Sequence, residues 1–414
     1  MNSQPLSITL FGALESQYGV IDYFVEELAA ALQRQGAICS ILRLDRKSPM
    51  DFLRTLTTHP PDCTLSFNGL LPDRRGQFLA DTIGVPHVAF VTDAPTHFFP
   101  LLKSQKTVIA SVDLDFCRTF QAAPFLHAFF CPHGGSASLV RQEKEPLYDV
   151  LMLNSFIDAP ALAQSWSDRY PAPLVRVLHE AAERTWQEEE VSYLNAFVEG
   201  VDGSIRRGDA LDPAQIDHRQ ALDDLQAYVG GMSRLRWLES IEVCQVDVFG
   251  SDPEGWRRLL PQKKNIRFHP PVPFHEALDL MGRCRVLLHC TPEIKRGGHE
   301  RLFSGLLLEA ALVCLATPYL RQEFVSGKEL ELISYGDEVS LNQTLHHLLQ
   351  EEPQRRQTAQ AGRESALARH TWDVRAKQIL SALPQLLRNL NGAVGGRAAW
   401  LDRGENSITN TERL

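Results

Sequence analysis

The chain has 414 residues, 44% of them apolar and 22% charged, with a formal net charge of −9; that length exceeds what one hydrophobic core serves, so two domains are expected. The acidic balance excludes nucleic acid as a partner, because phosphate binding needs clustered Lys and Arg. No run of about 18 apolar residues exists to span a bilayer, and the opening MNSQPLSITLF has no charged segment before its short apolar run, so a cytoplasmic protein with no transmembrane segment is expected.

In chain order, LSITLFG reads as a strand, followed by a loop through Tyr18 and Gly19 and a helix from about Ile21 to Gln35. Gly36 fits the position just past that helix, and AICSILRL is the second strand. CTLSFNG, HVAFVTD, TVIASVD and HAFFCPHGG repeat the pattern of an apolar run closed by a small or polar residue. Such runs belong to a parallel sheet covered by helices, whose carboxyl ends share one edge where ligands bind. Gly12, Asn68, Asp93 and His133 are therefore expected along one cleft.

The charged stretch RQEKEPLYD marks a boundary, dividing the chain into domains at 1–140 and 141–380. VLMLNSF opens the second block as a strand. From Pro160 to Leu238 apolar residues recur every three or four positions, which predicts a helical stretch inside the α/β pattern. VCQVDVFGSD, NIRFHPPV, RVLLHCTP and VCLATP return as strands, with helices at FHEALDLMGR, HERLFSGLLLEAAL, LNQTLHHLLQ and EPQRRQTAQAGRESALARH. Residues 391–414 lack periodicity and are expected to form a mobile tail. The eight cysteines form no C-x-x-C pair and no cluster with His at zinc spacing, so reduced thiols and no bound metal are expected.

The segment TPEIKRGGHERLFSGLLLE, Thr291 to Glu309, carries the most chemistry. Two glycines deliver His299, Glu300 and Arg301 to the first turn of a helix, where unpaired N–H groups and the helix dipole favour a phosphate. Arg301 is suited to a bidentate contact with a diphosphate. The same pattern also fits a plain capped helix whose Arg301 pairs on the surface.

Together YDVLMLNSF, VDVFGSDPEGW, RFHPPVPFHEALDLM, the Thr291–Glu309 segment and HTWDVRA resemble successive landmarks of a GT-B glycosyltransferase C-terminal domain, in particular that of the CgeB-like spore-maturation glycosyltransferases. The resemblance implies two Rossmann-like α/β domains facing each other across a cleft, with the helical stretch inserted in the second. It implies a nucleotide-sugar donor as substrate and no cofactor. The base would lie beside Gly250 and Ser251, the ribose and diphosphate near His299, Glu300, Arg301 and Ser304, with Asn154 and Ser155 as a further polar loop. The acceptor would be a glycan, a lipid-linked saccharide or a protein. Many retaining relatives carry two Glu eight positions apart on the donor helix; here Glu300 and Glu309 are nine apart, so the retaining assignment does not transfer. An inverting route needs a base from the first lobe, for which Asp93 and His133 are the candidates. Asp113 and Asp115 are expected to cap the helix after them rather than hold a metal. Trp372 is expected to anchor a terminal helix on the first lobe. A nucleotide-sugar epimerase or a non-catalytic nucleotide-sugar-binding protein has the same sequence pattern.

Overall fold

The computed structural model describes residues 5–13, 16–43, 49–122, 127–141 and 145–392. The first lobe is a six-stranded parallel sheet: β1 (Ser7–Phe11), β2 (Ile38–Leu42), β3 (Cys63–Phe67), β4 (His87–Val91), β5 (Thr107–Ser111) and β6 (Ala128–Phe130). Its order is β2-β1-β3-β4-β5-β6. The inner strands β3, β4 and β5 are buried at every position, as parallel strands covered on both faces are, and the polar Thr64 and Ser66 of β3 pair with His87 of β4. The helix Val20–Arg34 covers one face and ends where Gly36 adopts a φ of 92°.

The second lobe contains β7 (Tyr148–Leu153), β8 (Val246–Phe249), β9 (Ile266–His269), β10 (Cys284–His289), β11 (Ala311–Leu315) and β12 (Glu331–Ile333), in the order β12-β11-β10-β7-β8-β9 and again parallel. The first strand of this lobe, β7, thus lies beside its fourth, β10. That reversal splays the loops leaving the two carboxyl ends and opens a crevice between them. In the first lobe the corresponding reversal lies between β1 and β3.

Between β7 and β8 the chain forms four helices, Ala159–Arg169, Ala172–Gln187, Tyr193–Arg206 and His218–Ser240. Asp158, Ser192 and Asp217 cap three of them, each accepting the N–H three residues on. Trp166, Leu178, Trp186, Phe197 and Leu225 build a separate core for this insertion.

The helix Trp372–Gly392 crosses back to the first lobe. Trp372, 1% exposed, lies among Phe24, Phe67 and Phe90, while Ile379, Leu383 and Leu387 share the core of Leu28 and Leu32. Arg34 fixes the start of this helix with hydrogen bonds of 2.7 and 2.8 Å to the Asp373 carboxylate. A second-domain limit at 380 therefore cuts a helix that packs on the first lobe. Asn391 and Gly392 are helical, and the remainder of the expected mobile tail, 393–414, lies outside the described residues.

The helix expected over HERLFSGLLLEAAL is shorter, Glu300–Leu307. Glu309 takes a φ of 54° and the next residues enter β11. An apolar run does not by itself tell a buried helix from a buried strand.

Candidate functional site

A pocket of about 260 Å³ opens at the reversal between β7 and β10. Asn154 and Ser155 reach it from the end of β7, Gly250 from the end of β8, and His299, Glu300 and Arg301 from the start of the helix Glu300–Leu307. The opposite wall is apolar, made by Phe249, Pro271, Val272, Phe274 and Met281. Tyr18 and Val20 face it from the first lobe, so the pocket lies between the lobes.

Gly250 is required by packing: a Cβ there would stand 1.8 Å from the Asn154 carbonyl oxygen. Ser251 Oγ accepts the Phe156 N–H at 3.0 Å, and Ser304 is 2% exposed within the helix. Neither lines the pocket.

Arg301 is the centre of the polar wall. Its Nη1 donates to Asn154 Oδ1 at 2.8 Å, and its Nη2 lies 3.2 Å from His299 Nε2. His299 caps the helix, its Nδ1 accepting the Arg301 N–H at 3.3 Å. The same Nδ1 faces a Glu300 carboxylate oxygen. Burial pushes the Glu300 carboxyl up, but the adjoining His299 and Arg301 outweigh burial and hold it below the usual carboxylate range. Burial lowers the Arg301 guanidinium from its ordinary value, with Glu300 opposing; a guanidinium remains charged.

A second cation comes from the insertion. Arg234, on the helix His218–Ser240, lines the pocket and donates to Glu293 at 2.7 Å, while its buried Nε has no partner among the described residues. Sequence reading missed Arg234 because it sits on an apolar-spaced helix far along the chain from the other pocket residues. The one local signal is Gly230–Gly231, one turn earlier, where the helix closes on Ala159 with room for no Cβ at Gly231.

The loop 291–299 is held on several sides. Lys295 Nζ donates to the carbonyls of Thr185 and Glu188 at 2.5 and 2.9 Å, closing the C-terminus of the helix Ala172–Gln187. Burial lowers that ammonium to about 8. Arg296 pairs with Glu190 at 2.5 Å and with Asp115 at 3.4 Å. Asp113 caps the helix Leu114–Ala122 through the N–H groups of Asp115 and Phe116. Among the described residues, no group of three or more His, Cys, Asp or Glu is placed to hold a metal.

On the first lobe, Asn68 and Asp93 stand together at the carboxyl edge. Asn68 Nδ2 donates to Asp93 at 2.6 Å, and Asn68 Oδ1 accepts from the Thr92 N–H and hydroxyl, each at 2.9 Å. Asn68 takes a φ of 60° in doing so. Asp93 is exposed. Gly12 ends β1 with Arg43 packed over it. None of these three lines the pocket. His133 is 3% exposed, packed against Phe24, Phe90 and Trp372, with its ring centre 6.1 Å from that of His299. Burial pushes its imidazole down to about 3, so it is neutral, and its Nδ1 has no partner among the described residues. Glu309 lies beyond the helix end, its carbonyl accepting from Arg141 at 2.5 Å and its carboxylate 3.5 Å from Arg363.

Among the described residues no helix is long and apolar enough to cross a membrane. Residues 233–381 match the family of glycosyl transferase-like proteins. A protein of uncharacterized function from Aquifex aeolicus is 20% identical over 399 residues, spanning 92% of this chain and 95% of that one. Sucrose-phosphate synthase from Thermosynechococcus elongatus superposes with a TM-score of 0.53 at 11% identity, over 94% of this chain and 100% of that one. HepE of Anabaena, solved with UDP and glucose, gives 0.52 at 10% identity, over 92% and 99%. A glycosyltransferase of avilamycin A biosynthesis gives 0.51 at 12%, over 93% and 99%. At such identities the likeness is one of fold, and with two Rossmann-like parallel lobes and a helical insertion in the second, the chain has the GT-B fold.

Proposed function

We propose that the chain is a metal-independent glycosyltransferase that binds a nucleotide-sugar in this pocket and moves the sugar to a glycan, lipid-linked saccharide or protein. The observation that carries the reading is the entry of Arg301 and Arg234 into one pocket at the β7/β10 reversal, opposite an apolar wall. The apolar wall suits the flat base and the two guanidiniums suit a diphosphate. Arg301, already oriented by Asn154 and His299, offers a fork to the phosphate oxygens. A charge fixed there stabilises the negative charge that grows on the departing diphosphate, with no reorganisation at the moment of reaction. The glycosyl transferase-like match over 233–381 supports the reading, as does the fold shared with HepE, which was solved with UDP and glucose. The narrower resemblance to spore-maturation glycosyltransferases belongs to the same proposal.

For the base that takes the acceptor proton, Asp93 is the better candidate. It is an exposed carboxylate on the facing sheet edge, held by Asn68, whereas His133 is enclosed by aromatic rings and its basicity is depressed. The test is turnover: the full chain is incubated with UDP-, GDP- and dTDP-sugars, with and without chelator, and nucleotide release and the fate of the sugar are followed. Release that survives the chelator supports the proposal. Isomerised sugar still attached to nucleotide, or stoichiometric binding with no release under any acceptor, contradicts it.

A further inference from the structure

Asp113 stands two residues past β5 at the carboxyl edge of the first sheet and is 1% exposed. Capping the helix Leu114–Ala122 occupies only Oδ1, which accepts the N–H groups of Asp115 at 2.8 Å and Phe116 at 3.2 Å. A neutral Ser or Thr could do as much without placing a charge in the interior. The second oxygen explains the carboxylate. Oδ2 accepts the N–H of Arg296, in the other lobe, at 2.8 Å.

Neighbouring backbone contacts reinforce this one. Leu114 N–H donates to the Arg296 carbonyl at 3.2 Å, and Asp113 forms an antiparallel bridge with Gly297. Gly297 is what lets the two backbones meet, since a Cβ there would stand 2.0 Å from the Val112 carbonyl oxygen. Two residues beyond this junction the chain reaches His299, then Glu300 and Arg301 in the pocket.

We propose that Asp113 is a positioning residue for the donor pocket, a first-lobe carboxylate that fixes the course of the 291–299 loop and so the placement of His299, Glu300 and Arg301. The proposal rests on the reading that this pocket takes a nucleotide. One carboxylate holds both the start of a first-lobe helix and the approach to the second-lobe donor helix, so the lobes are registered beside the pocket as well as through the helix Trp372–Gly392.

Two substitutions in the full chain separate positioning from general support. Asp113→Ser keeps a good helix cap but is too short to span both partners. Asp113→Asn keeps size and removes the buried charge, yet supplies only one accepting oxygen; a side chain needed merely to fill space would tolerate it. Hydrogen exchange is followed at 114–122 and 291–301, and affinity for UDP, GDP and dTDP is titrated. Faster exchange at 291–301 with 114–122 unchanged in Asp113→Ser is expected, together with nucleotide binding weakened by roughly tenfold in both variants, the ratio for one charge-assisted hydrogen bond. Wild-type exchange and affinity in both variants would overturn the proposal. If the wild-type chain binds none of the three nucleotides, the donor reading fails, and the exchange at 291–301 still decides whether Asp113 sets the loop. Should either variant fail to fold, Gly297→Ala attacks the same junction from the other lobe and is expected to show the same loop-confined exchange; protection equal to wild type there counts against the proposal.

Discussion

Arg301 and Asn154 meet at 2.8 Å across the reversal between β7 and β10, the guanidinium from the helix Glu300–Leu307 held by the carboxamide that follows the first strand of the same lobe. This contact, with the His299 ring beside Nε and Nη2, aims the guanidinium at the pocket. Arg301→Ala is expected to weaken nucleotide binding by about 10- to 100-fold with the fold retained. Arg301→Lys restores charge but not the fork, and should recover only part of the loss. Titration of both variants, with circular dichroism as the fold control, checks this.

Glu309 occupies the left-handed position just past a helix, where glycine is usual, at a φ of 54°. Its ion pair with Arg363, at 3.5 Å and partly exposed, offsets little. Glu309→Gly should therefore raise stability by roughly 1 kcal/mol in chemical denaturation. Nucleotide affinity should not change, because Glu309 is outside the pocket; a large fall would return it to the donor site.

His87, His133 and His370 are buried, and chiefly for that reason each is pushed down to about 3. In the unfolded chain an imidazole takes up its proton near pH ~6.5. Between those values the unfolded chain binds protons that the folded chain does not, so stability falls as pH falls, by at most ~1.4 kcal/mol per pH unit for each histidine. Asp113, raised by burial to about 6, acts in the opposite sense from about pH 4 to 6 and offsets one of the three. The denaturation midpoint should drop from pH 6.5 to 4.5, and less steeply in His133→Phe, which suits the surrounding aromatic rings. Equal slopes for the two proteins would remove His133 from the acid response.

Trp372 is enclosed by Phe24, Phe67, Phe90 and His133. Trp372→Ala should cost about 3–5 kcal/mol and free the helix Trp372–Gly392 from the first lobe. Limited proteolysis should then cut near 372 ahead of the second-lobe strands; cleavage unchanged from wild type would contradict the anchoring.

Most strands were legible because they are short apolar runs ended by a residue that tolerates a tight turn, as in CTLSFNG and HVAFVTD, whereas β12, three residues long at Glu331–Ile333, was not among those expected. His299, Glu300 and Arg301 were legible because a Gly-Gly loop and a helix start are adjacent in sequence. Arg234 was not, since its partner Glu293 is 59 residues away and its own neighbours spell an ordinary buried helix. The tie between Asp113 and Arg296 spans 183 positions, and helix capping alone accounted for the local pattern. The helical stretch supplies Arg234 to the pocket and the carbonyls that hold Lys295. Contacts of this kind follow from how elements pack and carry no local spacing.

Calorimetric titration of the wild-type chain and Arg301→Ala with UDP, GDP and dTDP, in chelator, tests the central claim most directly. Saturable binding of at least one nucleotide by wild type, lost or weakened by about tenfold or more in Arg301→Ala, is the expected result. No binding by wild type, or equal binding by both proteins, would contradict a nucleotide-sugar site at the β7/β10 reversal.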